Sequence, residues 1–201
     1  MDYYYNFREE PLLYNLYNPP KQIKYNSIKN FDKRNKLYDD MMIIFTEKIH
    51  GSNICVTIVN ELIFIYKRNN LLTPDENHYN SYNVVNSISN NLFKLVNNLK
   101  KTDSDIIRIY GEIYGGDYNG ETEKGHTFVQ KNMNYCPFNS LDIFDISIES
   151  NDEICYLDWD NLVMLTENFN LRHVPEIMRC TMIEFNNKID INKLKTVIPS
   201  T

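Results

Sequence analysis

"TEKIHGSN", residues 46–53, sets a lysine between an apolar run and a glycine turn. Residues 41–47, "MMIIFTE", read as a strand that runs into a turn at His50-Gly51-Ser52. A lysine at the end of an apolar strand is costly to desolvate and ordinarily faces water. An amine is a nucleophile only when unprotonated, and an ordinary lysine, with a pKa of about 10.4, is well under ~1% free base at neutral pH. Desolvation and neighbouring cations favour the neutral form. Two readings of Lys48 therefore stand side by side: a hairpin lysine in water, or a nucleophile at the mouth of a pocket.

Working outward, residues 53–59, "NICVTIV", are β-branched and alternate. Asn60-Glu61 supplies a short turn, and 62–67, "LIFIYK", returns as a strand. The three strands read as an antiparallel meander that starts at Lys48 and ends at Lys67-Arg68. Val84, Val85, Ile88, Leu92, Leu95, Val96 and Leu99 recur at helical spacing, with Ser81 as N-cap. Strands follow at 105–114 and 141–148, and a helix runs from Asp158 to about Phe169. A weaker helical pattern covers about Met178 to Asn186, and 188–201 is ambiguous. The fold class is α+β, with mainly antiparallel sheets and flanking helices in one domain over 1–201. Residues 1–40 form an N-terminal segment.

The chain of 201 residues is long enough to bury a core without metal or disulfides. Cys55, Cys136, Cys155 and Cys180 lack C-x-x-C or zinc-finger spacing, so free thiols in a reducing, cytoplasmic compartment are expected. The N-terminus shows no secretory h-region, and no apolar run reaches membrane-spanning length. The net charge of −6 argues against a general nucleic-acid coat. The stretch 21–36 nevertheless carries Lys21, Lys24, Lys29, Lys33, Arg34 and Lys36 against one aspartate. It reads either as a solvated face or as a track for a phosphate backbone.

"EKIHGSN" resembles motif I of the covalent nucleotidyltransferases, the ligases and capping enzymes, whose core is lysine, two residues, glycine. His50 before the glycine and Asn53 two residues after it resemble the RNA ligase 2 family of nick-sealing RNA ligases. The match continues in order. "YKR" at 66–68 resembles the basic segment after motif I, and "YGEIYGG" at 110–116 resembles motif III. "VQKNMNYCPFNSLDIFDI" at 129–146 resembles the stretch into motif IIIa, and 156–177 resembles the linker helix with its Val-Pro.

The resemblance implies an ATP-grasp-like adenylation domain and a three-step reaction. Lys48 takes AMP from ATP, AMP moves to an RNA 5′-phosphate, and a 3′-hydroxyl seals the strand. Carried over by position, Glu47 accepts from the adenine amino group, the backbone of Ile49 faces the base, and Phe144 stacks on it. Arg68 binds phosphate or ribose, Glu112 the ribose, and His50 and Asn53 serve adenylation and sealing. Mg²⁺ or Mn²⁺ is the implied metal, with ligands not assigned, and RNA ends such as a nicked duplex are the implied partner. No membrane is involved.

The family pattern calls next for motif IV, with Glu-Gly, and motif V, with two lysines. Neither is seen before Thr201, and Lys193 and Lys195 come too early. The expectation is an adenylation domain truncated before motifs IV and V. The alternatives are a second chain that supplies them and another segment that substitutes for them. A catalytically impaired ligase-fold protein that binds RNA or such a partner is the competing function. Two residue-level expectations remain: three-residue spacing sets Asp142 and Asp145 on opposite strand faces, and His126 is exposed.

Overall fold

The β-branched run after Ser52 folds into a hairpin, because Asn60 and Glu61 both adopt positive φ (49° and 62°). That geometry matches the twist of the flanking strands. A computed structural model of the chain describes residues 18–25, 38–68, 70–73, 75–76, 78–131 and 133–189. Lys21 and Lys24 of the basic stretch fall inside these limits. Lys29, Lys33, Arg34, Lys36, Lys193 and Lys195 lie outside the described residues.

The hairpin strands β2 (Ser52–Val59) and β3 (Leu62–Lys67) belong to a six-stranded antiparallel sheet. Its other members are β4 (Asn70–Leu71), β5 (Ile106–Asp117), β6 (Cys136–Ser150) and β7 (Glu153–Tyr156), in the order β4-β3-β2-β5-β6-β7. One face is apolar. Ile54, Val56, Ile63, Ile65, Ile107, Ile109 and Ile143 pack against Val85, Leu92 and Leu95 of α1 (Ser81–Leu99) and against Leu162 of α2 (Trp159–Asn168). Period-2 alternation sends the intervening side chains to the opposite face. That face carries Cys55, Phe64, Tyr66 and Tyr110 in a second cluster.

Residues 18–25 lie across this second face as a strap. Tyr66 Oη donates to the Pro20 carbonyl (2.7 Å), Arg108 Nη2 to that of Lys21 (3.1 Å), and Tyr25 Oη to Asp145 Oδ2 (2.7 Å). Arg108 is 1% exposed and forms an ion pair with Glu149 at 2.6 Å. A buried guanidinium needs such a partner.

Four expectations change. The first strand, β1 (Met42–Thr46), is not part of the meander. It pairs instead with β8 (Glu176–Thr181) in a separate two-stranded sheet. The expected helix from Met178 is therefore strand up to Thr181, because pairing with a strand far away in sequence overrides a weak local period. The helix α3 starts at Met182 and runs to Lys188, with Thr181 and Glu184 forming a capping box. Asn80, in the left-handed region, precedes α1, so Ser81 is its first residue rather than its cap. Asp158 does cap α2, accepting from the Asn161 N–H.

The fourth change is a β-bulge. Tyr110 pairs with Asp145 and Gly111 with Ile143, so Phe144 is the extra residue. Asp142 and Asp145 sit opposite Glu112 and Tyr110, two residues apart on one strand. They consequently share a face, against the alternation expected of a regular strand.

Candidate active site

Lys48 lies in the five-residue loop between β1 and β2, and the loop is held by its own backbone. Glu47 N donates to the Pro175 carbonyl (2.8 Å), His50 N to Tyr135 Oη (3.2 Å) and Gly51 N to Glu112 Oε1 (3.0 Å). Ile49 is 4% exposed and anchors the loop in a cluster with Tyr114, Cys136 and Val174. The residues on either side of it, Lys48 and His50, are exposed. Lys48 makes no ion pair among the described residues.

Gly51 is required by a close approach. A Cβ there would overlap the Ile113 carbonyl oxygen and come within 3.0 Å of its carbon and 3.1 Å of Glu112 Cγ. Only a residue without a side chain lets the loop lie this near β5.

The sheet register gathers the remaining candidates. Asn53 stands opposite Glu112, and Glu112 opposite Asp142. Ile54 pairs with Lys67, so Arg68, the next residue, lies at the turn beside Asn53. Arg68 has φ 49°, is exposed, and offers its carbonyl to Gln22 Nε2 at 3.1 Å. Phe144, on the bulge, touches both the Ile49 cluster and the Tyr110 cluster. By register Asn53 and Glu112 share a face with Arg68 beside them, Gly51 ties the lysine loop to Glu112, and Phe144 packs against the Ile49 cluster.

Burial dominates the electrostatics. It pushes the Glu112 carboxyl above its usual value, opposed by the Gly51 N–H and by the charge of Lys48. Lys48 is therefore within electrostatic reach of Glu112. Asp142, 1% exposed, is likewise raised by burial, opposed mainly by Arg172, whose Nε lies 2.7 Å away. Asp145 is raised by burial, with the Tyr25 hydroxyl acting the other way.

Sequence reasoning missed Tyr135, Tyr114, Arg172 and Tyr25. Tyr25 lies with its ring centroid 5.1 Å from that of Phe144 and 4.9 Å from that of Tyr110. Arg172 bridges Asp142 and the Tyr114 hydroxyl. Tyr114, Tyr135 and Arg172 fall inside the stretches that resemble family motifs, but none of them carries an expected role there. The Phe144 bulge, which would have exposed the Asp142 link, leaves no trace in the alternation. His126, expected to be exposed, is half-buried, and its Nδ1 accepts from Asn139 N (2.8 Å).

The RNA ligase family model matches residues 41–196, a span that holds the whole Lys48 loop, Glu112 and Phe144. The chain belongs to the RNA ligase family. Among solved structures, an RNA ligase variant from Naegleria gruberi with ATP and manganese aligns with this RNA ligase family chain at TM-score 0.54 and 18% identity. The alignment covers 72% of this chain and 38% of that one. A second variant of the same ligase, without ligand, gives 0.53 at 19% over the same shares. A third, with AMP and manganese, gives 0.54 at 17%, again over the same shares. At these identities the likeness establishes the α+β nucleotidyltransferase fold of RNA ligases. The chain spans about 38% of the length of these solved relatives. No curated protein matches it significantly. Among the described residues, no helix of this RNA ligase family member is long and apolar enough to cross a membrane.

Proposed function

We propose that this chain acts as an ATP-dependent RNA ligase through a covalent lysyl-AMP at Lys48. The observation that carries the reading is the loop itself. An exposed lysine with no ion pair among the described residues sits on a loop whose backbone is fixed at three points, one of them Glu112, and whose Ile49 packs in the cluster that Phe144 touches. That is how a nucleophile is positioned, because holding it against a bound nucleotide removes the entropy cost of encounter.

In the first step Lys48 Nζ, having lost a proton, attacks the α-phosphorus of ATP. An N–P bond forms, the bond to the bridging oxygen breaks, and pyrophosphate leaves with the electron pair. In the second, an oxygen of an RNA 5′-phosphate attacks the same phosphorus. The N–P bond breaks and Lys48 recovers a proton. In the third, a 3′-hydroxyl attacks the 5′-phosphorus and expels AMP. Each step is a displacement at phosphorus, so this protein's share is placement and charge stabilisation.

The residues fit such a substrate. Glu112 keeps a second carboxylate oxygen for the ribose while Oε1 holds Gly51 N. Glu47 accepts from the adenine amino group, with the Ile49 backbone beside it, and Phe144 supplies a stacking face. Arg68 forks onto phosphate. His50 and Asn53 flank Gly51 and serve adenylation and sealing. Mg²⁺ or Mn²⁺ supplies charge neutralisation on the phosphates when bound. Among the described residues no group of three His, Cys, Asp or Glu side chains could hold a metal ion.

The test is incubation of the chain with ATP labelled at the α-phosphate and a divalent metal, followed by denaturing electrophoresis. Label on the wild type and none on Lys48→Ala is expected. Absence of label on the wild type would refute autonomous adenylation. RNA or partner binding in that case would favour a ligase fold kept for binding.

A further inference from the structure

Tyr135 stands just before β6 and plays no part in the reaction described so far. Its hydroxyl accepts the N–H of His50 at 3.2 Å, two residues beyond Lys48. Its ring stands edge-on to Tyr114, with centroids 5.3 Å apart at 78°. Tyr114 is itself fixed. Its hydroxyl donates to Asp142 Oδ1 (3.2 Å) and accepts from Arg172 Nη2 (2.8 Å), while Arg172 Nε donates to the same Asp142 oxygen (2.7 Å). Tyr114 and Asp142 are 2% and 1% exposed, so these two members of the brace are interior, while Arg172 closes it from the surface. Tyr135 therefore presents its hydroxyl from a ring that is backed by a charge-assisted network.

The surroundings point the same way. Burial pushes the Tyr135 phenol up, and the charges of Glu47 and Glu112 push the same way. Glu112 holds the next amide, that of Gly51. Tyr135, just before β6, and Glu112, within β5, thus take consecutive N–H groups of one turn. Ile49 and the Glu47–Pro175 bond secure the other side.

We propose that Tyr135 is a positioning residue for self-adenylation, which aims Lys48 by clamping the His50 amide and does not touch the nucleotide. The inference rests on the adenylation reading of Lys48. Without the phenol oxygen, the His50 amide turns to water. Ile49 and two backbone bonds still hold the loop near its place, so binding of ATP persists while the angle of attack loosens.

The experiment uses the full chain and Tyr135→Phe, which keeps the ring against Tyr114. Three quantities are read: the rate of lysyl-AMP formation against ATP concentration, the melting temperature, and the hydrogen exchange of the His50 amide by NMR. The maximal rate should fall on the order of 10-fold, with the ATP KM within about twofold of wild type. The melting temperature should hold, and His50 exchange should quicken while the amides of α1 keep their rates. An unchanged maximal rate overturns the proposal. So does a loss in which KM and melting temperature shift together with the rate, since that marks a merely structural ring. If the wild type forms no adenylate, the ligase reading fails separately. The clamp is then judged by His50 exchange alone, and exchange equal in wild type and Tyr135→Phe overturns it.

Discussion

Gly51→Ala adds one methyl group at the tightest point of the lysine loop. The new Cβ would overlap the Ile113 carbonyl oxygen and stand 3.0 Å from its carbon, and both atoms are backbone. No side chain can swing away to make room. The loop must part from β5 by roughly an ångström before carbon and oxygen reach van der Waals separation. The Gly51 N–H leaves Glu112 Oε1, now at 3.0 Å, and Lys48 three residues earlier moves with it. An overpacked contact of this kind costs about 1–3 kcal/mol, which leaves a folded protein. A misplacement of about 1 Å at a reacting group costs on the order of 10²-fold in rate. Single-turnover formation of lysyl-AMP at saturating ATP measures that loss, with circular dichroism as the check on folding. Should Gly51→Ala adenylate within about threefold of wild type, the close approach does not aim Lys48, and the three-point hold is not what positions the nucleophile.

Other perturbations separate the pocket from the scaffold. Phe144→Ala removes a ring expected to stack on the base, so ATP affinity should fall by about 1–3 kcal/mol, measured by calorimetry; unchanged affinity would place the base elsewhere. Leu92→Ala empties a fully buried position under the sheet and should cost about 2–5 kcal/mol in urea unfolding, with the ATP affinity of the folded fraction unchanged. Arg172→Met strips the partner from Asp142, and since the Arg172 side chain is 62% exposed the loss should be about 1–2 kcal/mol, below that of a fully buried pair. Its pH dependence has a defined sign. Burial already raises the Asp142 carboxyl and Arg172 opposes it, so the variant's folded-state value moves further up while the unfolded one stays near about 3.9. The loss should be absent below the unfolded value and grow as pH rises through the folded one. Melting curves from about pH 3 to pH 8 test this, and a pH-independent loss would mean Asp142 is not the group left behind.

Hairpins and helices were readable from sequence because their causes are local. Asn60-Glu61 closes β2 onto β3, the 3.6-residue period marks α1, and Asp158 caps α2. The β1–β8 pair was not readable. Its strands are separated by almost the whole domain, and "MMIIFTE" looks the same whether it pairs with β2 or with a strand after α2. The residues of 176–181 carry a weak helical period that the long-range ladder overrules. β7 was also missed. Asn151 and Asp152 close it onto β6 with positive φ, as Asn60 and Glu61 close the first hairpin, but the short "EICY" strand shows too little alternation to stand out.

The site divides along a similar line. Glu47, Lys48, His50, Asn53, Arg68, Glu112 and Phe144 were nameable through the family resemblance because each is expected to act through a particular side chain, and Ile49, expected to act through its backbone, followed from its place in the motif. Such a requirement fixes residue type at a position, and residue type is what a sequence displays. Tyr135, Tyr114 and Arg172 work on the protein instead. Tyr135 takes a backbone N–H, which every residue but proline offers, so His50 gives no hint of its partner. Arg172 reaches Asp142 from the segment after α2, a long-range contact that neither residue announces, and the bulge at Phe144 sets Asp145 on the same face as Asp142. The same bulge sets Phe144 between the lysine-loop cluster and the Tyr110 cluster. The bulge residue is the expected stacking ring, and the carboxylate that braces Tyr114 lies two residues before it on β6. A regular β6 would instead send Asp142 and Asp145 to opposite faces. The expected ring and the brace lie on one short stretch of β6, so a change in its register should disturb nucleotide binding and the hold on Lys48 together.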